Sequence, residues 1–292
     1  MPNFDKCVPS RESARELIRQ FPILEGAPID FLVNDKGARL KADIVSSHLH
    51  TNALPPRSLI AVAKNVYRCT PELCFVQLAS LLSFPKLVQV GFELCSTYAL
   101  TRDEIGFRKQ PAATDPQAIE RFCEDNPSLR GSAIARKAVK YMVKGSASPR
   151  ESDLTMLLCM PTRYGGYAFP RPILNAPIET ITERGLLRRR QRFVCDLLWP
   201  KLKLAAEYDS RAFHHGERKI LDDQVRAAAI GSNGISLVPI RAGQIEDPCK
   251  FQTVVADLNK KAGRRQRIRS ESFHEKERNL RAEILRPGND VW

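Results

Sequence analysis

The segment from Asp196 to His215 constrains the fold more than any other part of the chain, because it alternates polar and apolar side chains around a Trp-Pro turn. Pro200 fixes its own φ angle, which suits the second position of a tight turn, and β-favouring residues stand on both sides of it. The pattern therefore predicts two antiparallel strands joined by a two-residue loop, with Trp199 paired to Leu202.

Three acidic side chains are predicted to share one face of this hairpin. In the predicted register Asp196 lies opposite Ala205 and diagonal to Glu207. Asp209 points the same way, because side chains alternate along a strand. Carboxylates on one face repel each other unless a cation lies between them. In proteins that cation is usually a hard divalent ion such as Mg²⁺ or Mn²⁺, bound by one or two carboxylates. We therefore predict a metal site at Asp196 and Glu207; the alternative is a polar strand face in water.

The order of motifs in the C-terminal half resembles a known nuclease family. The motifs are Asp196 before Trp-Pro, Glu207-x-Asp209, His214, Asp223-x-x-Arg226 and an apolar strand. This pattern, over about residues 148–241, resembles the Vsr-like (very-short-patch-repair-like) branch of the PD-(D/E)xK nucleases. The resemblance implies a restriction-endonuclease-like fold, in which Asp196 and Glu207 bind Mg²⁺ beside the scissile phosphate.

The chain departs from this family at two positions. The lysine that ends the superfamily's E-x-K motif is Asp209 here, and the glycine usual after it is Ser210. The missing lysine leaves the activation of water open. His214 is the obvious substitute, because an imidazole can take a proton near neutral pH.

Glu151 has two roles that are compatible with each other. It stands at the third position of a helix that is predicted to begin after Ser148 and Pro149, which is a capping-box arrangement. The nuclease resemblance implies instead that a glutamate on this first helix approaches the metal, and Glu151 matches it in order. Both roles stay open, with Glu151 counted among the catalytic candidates.

Arginines are concentrated just before the predicted metal site. Guanidinium groups match phosphate oxygens, so this cluster is where a nuclease is expected to contact the DNA backbone. The alternative is a solvated turn. Arg226 is a further candidate for phosphate contact, although it stands one helical turn from Asp223 and pairing with it is the simpler interpretation. The cluster candidates are Arg188, Arg189, Arg190 and Arg192.

The overall charge favours a polyanionic partner. The 292 residues include 46 Lys and Arg against 33 Asp and Glu, which gives a net charge of +13. Nucleic acid is the partner that such a balance suggests. No apolar run approaches the length of a membrane span and the N-terminus lacks the apolar core of a signal peptide, so we expect a cytoplasmic protein without membrane contact.

The predicted fold class is α/β (α+β), with three regions. Residues 1–145 form a mostly helical domain with a few strands, and small flexible residues around Gly145 mark its end. Residues 146–262 form the restriction-endonuclease-like part, a mixed sheet flanked by helices. Residues 263–292 form a basic tail, predicted to be an exposed helix or a disordered arm.

The first region has a second, weaker resemblance. Its early strands are followed by a Thr-Pro-Glu helix start at Thr70 and by a second apolar helix. Over about residues 40–100 this order of strands and helix starts is similar to that of the C-terminal region of AbiEi-type antitoxins. The resemblance implies transcriptional regulation and a toxin-antitoxin or defence-system partner, and it transfers no binding residues.

Three functions are consistent with the sequence. The first is a Mg²⁺-dependent DNA endonuclease of a prokaryotic defence or repair type. The second is a DNA-binding transcriptional regulator or antitoxin-like protein with a catalytically inactive nuclease fold, which the missing lysine favours. The third, a purely structural interaction protein, leaves the acidic face beside the arginine cluster unexplained.

Overall fold

The structure is a computed structural model that describes residues 7–51, 53–101, 106–184, 187–209, 226–266 and 272–285. Within these ranges, residues 23, 181–184 and 187–189 are described by their backbone alone. The fold is mixed α/β and divides into two compact units, Met1–Thr70 and Pro71–Trp292. The boundary predicted after residue 145 lies inside the second unit.

The first unit combines one helix with two small sheets. Helix α1 begins after Ser10, whose side chain caps it by accepting a hydrogen bond from the Ser13 amide. The β1–β2 pair is parallel and the β3–β4 ribbon is antiparallel. The elements are α1 (Arg11–Gln20), β1 (Ile29–Val33), β2 (Val45–Leu49), β3 (Leu59–Ala63) and β4 (Val66–Cys69), with 3-10 turns at Pro22–Leu24 and Lys36–Ala38.

Helices dominate the first half of the second unit. The predicted helix start after Ser148 is confirmed, and Asp115 caps α4 in the same way, each side chain accepting from the amide three residues later. A short antiparallel pair, β5–β6, lies between the third and fourth helices. The elements are α2 (Pro71–Leu78), α3 (Phe84–Leu94), β5 (Tyr98–Leu100), β6 (Phe107–Lys109), α4 (Pro116–Asp125), α5 (Ser132–Val139) and α6 (Pro149–Cys159).

A four-stranded mixed sheet follows, with the order β10-β9-β8-β7. Its first three strands in the chain are antiparallel neighbours, and β10 runs parallel to β9. Helix α6 packs against β8, and helices α8 and α9 pack against β10. The elements are β7 (Ile173–Arg184), β8 (Leu187–Trp199), β9 (Leu204–Asp209), α7 (residues 226–231), β10 (Ser236–Arg241), α8 (Ala242–Glu246) and α9 (Pro248–Lys261).

The β8–β9 connection is longer than predicted. Pro200–Leu202 forms a 3-10 turn and Lys203 takes a left-handed conformation with φ of 49°, so Trp199 pairs with Leu204 rather than with Leu202. The Trp199 indole donates to the Pro170 carbonyl at 2.6 Å and fixes the end of β8. The predicted register is therefore wrong by two residues.

The last helix, α10 (Phe273–Ile284), is not an exposed tail. Phe273, Leu280 and Ile284 are buried, and the helix packs against α3 and α6. Glu277 and Arg281 are also buried and pair with each other at 3.0 Å. The prediction of an exposed helix or disordered arm is wrong for these residues, because one face of α10 is buried and Glu277 and Arg281 pair with each other inside the unit.

Across the described parts of the chain, the structure contains no helix long and apolar enough to span a lipid bilayer.

Candidate functional site

Asp196 and Glu207 lie on neighbouring strands of the four-stranded sheet. Strand β8 pairs with β9 from Trp199–Leu204 to Leu197–Ala206, and Asp196 and Glu207 are the next residues of the two strands beyond this last pair. The backbone N–H of Tyr208 donates to Asp196 Oδ2 at 2.8 Å, so the side chain is held against β9. The two predicted metal ligands are thus closer in register than the sequence indicated.

The environment of Asp196 favours a positive charge beside it. Burial raises the pKa of this carboxyl from 3.8 to about 6, and the negative charges of Glu151 and Glu207 add to the effect. The Tyr208 amide and the Arg226 guanidinium oppose it without cancelling it. A cation beside Asp196 would offset both the cost of burying its negative charge and its repulsion from Glu151 and Glu207.

Glu151 is buried at the start of α6 and is fully hydrogen-bonded. Its Oε1 accepts from the Ser148 hydroxyl at 2.9 Å, and its Oε2 accepts from the Ala147 amide at 2.9 Å and from Asn175 Nδ2 at 2.7 Å. The capping prediction is confirmed in a modified form, since the backbone donor belongs to Ala147 rather than to the cap residue Ser148. Its charge nevertheless acts on Asp196, so capping does not describe all of its effect.

Asn175 connects Glu151 to the sheet and was not predicted from the sequence. It stands at the irregular position of the β7–β8 ladder, between the pairs Leu174–Leu197 and Ala176–Cys195, which places it across from Asp196. Its φ of 49° is left-handed, a conformation that asparagine tolerates better than most residues. Its side chain also donates to the Gly145 carbonyl at 2.9 Å. An asparagine inside an otherwise apolar strand start was the available signal.

Arg226 neutralises the second predicted ligand. Its guanidinium, from the first described turn of α7, forms an ion pair with Glu207 Oε1 and donates to the Val194 carbonyl. It also lies over the Phe193 ring, 5.8 Å from the centroid. Asp223, which the sequence offered as its partner, is outside the described residues. Arg226 therefore belongs to the carboxylate site itself.

Cys195, the neighbour of Asp196 in β8, is not a candidate nucleophile. Burial raises the pKa of its thiol to about 12, and the charge of Glu207 adds to the shift. The thiol is therefore protonated at neutral pH, and thiolate is the nucleophilic form.

The other predicted residues are placed to different extents. Asp209 ends β9 and is partly exposed, whereas His214 lies outside the described residues. Arg190 and Arg192 are exposed within β8, and alternation puts them on the same side of the strand as Asp196. Arg188 and Arg189 lie in β8 as well, with only their backbones described. The cluster is thus part of a strand rather than of a turn, and Arg190 and Arg192 are exposed to solvent in it.

The donor set suits a hard cation. Within the described residues, no group of three or more His, Cys, Asp or Glu side chains is arranged to hold a metal ion. Asp196 and Glu207 supply two carboxylates, and Mg²⁺ usually takes one or two together with water and phosphate oxygens. The raised pKa of Asp196 fits a site that lacks positive charge. The residues present therefore fit Mg²⁺ or Mn²⁺.

Comparison with known proteins finds distant relatives. The chain is 26% identical over 153 residues to "Uncharacterized protein Rv2248" of Mycobacterium tuberculosis strain H37Rv, and equally to "Uncharacterized protein MT2308" of strain CDC 1551. The match covers 52% of this chain and 51% of each relative, so the chain spans about half the length of the relatives it matches. No protein-family model and no solved structure matches the chain.

Proposed function

We propose that this chain is a Mg²⁺-dependent DNA endonuclease of a prokaryotic defence or repair type, acting in the cytoplasm. The observation that carries the proposal is the placement of Asp196 and Glu207 on neighbouring strands, next to the last β8–β9 pair, with Asp196 partly buried and its pKa raised by burial and by nearby negative charge. Ionisable groups with pKa values perturbed in this way are concentrated at functional sites.

In this proposal Asp196 and Glu207 hold Mg²⁺ or Mn²⁺. The ion supplies charge stabilisation on the phosphate and lowers the pKa of its bound water. Asp209 supports the ion directly or through water, and His214 accepts the proton of the attacking water. Glu151 keeps Asp196 receptive to a cation through its own negative charge.

The arginines of β8 give the site a means of holding DNA. Arg192 is four residues from Asp196, which is about 13 Å along a strand, and Arg190 is two residues further. Both side chains are exposed, and guanidinium groups bind phosphate oxygens through paired N–H donors. We assign Arg190 and Arg192, with Arg188 and Arg189 beside them, to the DNA backbone.

The order of elements supports the restriction-endonuclease-like interpretation. The antiparallel β8–β9 hairpin, helix α7 and the parallel strand β10 follow one another as β-β-α-β, the order expected for this nuclease fold. Helix α6 covers β8 and brings in Glu151, the position that the Vsr-like resemblance gives to a helical glutamate. We therefore assign about residues 146–262 to this fold.

A second function is favoured by one specific contact. Arg226 already neutralises Glu207, and Asp209 stands where the family has lysine, so this arrangement is also what an inactive descendant would retain. In that case the chain is a DNA-binding regulator or antitoxin-like protein. It would work with a toxin-antitoxin or defence-system partner.

One experiment separates the two functions. Supercoiled plasmid is incubated with the full chain in Mg²⁺ and in Mn²⁺, and DNA binding is measured in parallel in EDTA. The endonuclease proposal expects nicked or linear product in at least one metal and none in EDTA. Binding in EDTA with intact plasmid in both metals supports the regulator instead.

A further inference from the structure

A cavity in the first unit has the composition of an anion site. It measures about 500 Å³ and does not involve the carboxylates of the second unit. Two cationic side chains and two hydroxyls line it together with a histidine. The lining residues are Arg39, Leu40, Lys41, Ser46, Ser47 and His48.

A small hairpin organises these residues. Ala42 bridges Val45, and Ser47 Oγ accepts from the Leu40 amide at 2.7 Å while its hydroxyl donates to the Leu40 carbonyl at 2.8 Å. Leu40 therefore lies opposite Ser47, and the segment before β2 runs antiparallel to it.

The cavity lining brings the polar side chains of the two segments together. Arg39 and Lys41 stand on either side of Leu40, Ser46 and His48 stand on either side of Ser47, and all four line the same space. Ser46 Oγ and His48 Nε2 are 3.4 Å apart. The two cationic residues are two positions apart, which is about 6.6 Å along an extended chain.

The neighbouring acids are already engaged. Asp30 of β1 pairs with His48 Nε2 at 2.7 Å, and Asp43 of the turn pairs with Arg11 at 3.0 Å. Neither Arg39 nor Lys41 forms an ion pair with any residue that the structure describes. The cavity therefore presents two positive charges without an ion-pair partner among the described residues, beside the Ser46 hydroxyl.

We propose that this cavity binds a phosphate group. The Arg39 guanidinium offers paired donors that match phosphate oxygens, Lys41 adds a point charge, and the Ser46 hydroxyl faces the same space. The phosphate belongs either to a nucleic-acid backbone or to a small phosphorylated molecule. This site is separate from the proposed nuclease centre, and it stands whether or not that centre cleaves DNA.

The test compares two double variants of the full chain. Arg39→Gln with Lys41→Gln removes the cavity charges. Lys64→Gln with Arg68→Gln removes two charges from the β3–β4 ribbon of the same unit, which does not line the cavity. Arg39, Lys41 and Arg68 are exposed and Lys64 lies in the turn of the ribbon, so unchanged circular dichroism is expected for both variants.

Two probes identify the source of the phosphate. A short DNA duplex is titrated in EDTA at several salt concentrations, and inorganic phosphate is titrated while backbone amide NMR signals of residues 39–48 are followed. For a nucleic-acid phosphate, the cavity variant binds duplex about tenfold more weakly, with a log-log salt slope reduced by about 1.8. For a small phosphorylated molecule, the phosphate-induced shifts disappear in the cavity variant while duplex binding is unchanged.

Either loss supports the site, provided that the ribbon variant behaves as wild type. The proposal is overturned if the cavity variant matches wild type in both titrations. It is also overturned if the ribbon variant loses as much as the cavity variant, because binding is then a property of overall charge.

Discussion

Arg226 and Glu207 form an ion pair between α7 and β9, and the same guanidinium donates to the Val194 carbonyl of β8. One arginine thus joins the helix to both strands of the carboxylate hairpin. Asp196, on the neighbouring strand β8, receives only a backbone N–H from Tyr208 among its described hydrogen bonds. The positive charge at this site therefore lies beside Glu207, and a metal ion would place positive charge beside Asp196 as well.

Replacing Arg226 by Gln is expected to lower stability and strengthen metal binding. The pair is partly buried, so its loss leaves Glu207 poorly compensated and should cost about 1–3 kcal/mol. The same loss leaves the site more negative, so Mn²⁺ should bind several-fold more tightly. Thermal unfolding and Mn²⁺ titration measure the two effects. Arg278→Gln, on the exposed side of α10, is the matched control; unchanged metal affinity in Arg226→Gln would separate Arg226 from the metal site.

The raised pKa of Asp196 predicts how stability depends on pH. The folded pKa of about 6 exceeds 3.8, so the folded state keeps the proton over a range where the unfolded chain releases it. Its contribution is fully present below pH 4 and is lost as pH rises through 6. Each pKa unit corresponds to about 1.4 kcal/mol, so ionisation costs at most roughly 3 kcal/mol. Denaturant unfolding of wild type and Asp196→Asn from pH 4 to 8 measures this, and the variant should lack that component. Identical pH profiles would contradict the assignment.

Glu151→Gln is expected to weaken both the helix start and the metal site. The carboxylate accepts three hydrogen bonds, from Ser148, Ala147 and Asn175. The glutamine side chain has only one acceptor oxygen, so its NH₂ group would face at least one of these donors. The expected loss is about 1–3 kcal/mol, larger than for a simple cap. Removing the charge should weaken Mn²⁺ binding at neutral pH. It should also lower the pKa of Asp196, so that the pH below which Mn²⁺ binding is lost moves down. Ser148→Ala removes the cap and one hydrogen bond to Glu151 but keeps the Glu151 charge, so it should leave the pH dependence of Mn²⁺ binding as in wild type.

Replacing Arg190 and Arg192 by Ala is expected to weaken DNA binding in a salt-dependent way. Each phosphate contact contributes about 0.9 to the log-log salt slope, so the slope should fall by about 1.8. Anisotropy titrations in EDTA measure it, with Arg121→Ala and Arg278→Ala together as a control that removes two exposed arginines elsewhere. An equal change in both variants would remove this part of β8 from the interface.

Signals that are local in sequence predicted the start of α6 correctly, whereas the strand register and the burial of α10 depend on contacts between distant residues. Ser148 was identified because a cap, a proline and the following turn are contiguous in sequence. The β8–β9 register was wrong because the left-handed Lys203 extends the turn, and lysine carries no sequence signal for that conformation.

The burial of α10 was missed for a different reason. Its charged composition suggested solvent, yet Glu277 accepts from both Arg281 and Tyr167, the latter 110 residues earlier in the chain. The spacing of Phe273, Glu277, Leu280 and Ile284 does define one helix face, which was the available signal. Asn175 was missed similarly, because only the folded ladder sets it across from Asp196.

Asp196 and Glu207 are proposed to hold the metal ion on which DNA cleavage depends. The direct measurement is cleavage of supercoiled plasmid together with Mn²⁺ binding, on the same preparations of wild type, Asp196→Asn, Glu207→Gln and the exposed control Asp125→Asn. We expect both site variants to lose metal binding and cleavage while retaining their fold and their DNA affinity in EDTA, with the control unchanged. Cleavage and Mn²⁺ binding at wild-type levels in both Asp196→Asn and Glu207→Gln would contradict the account.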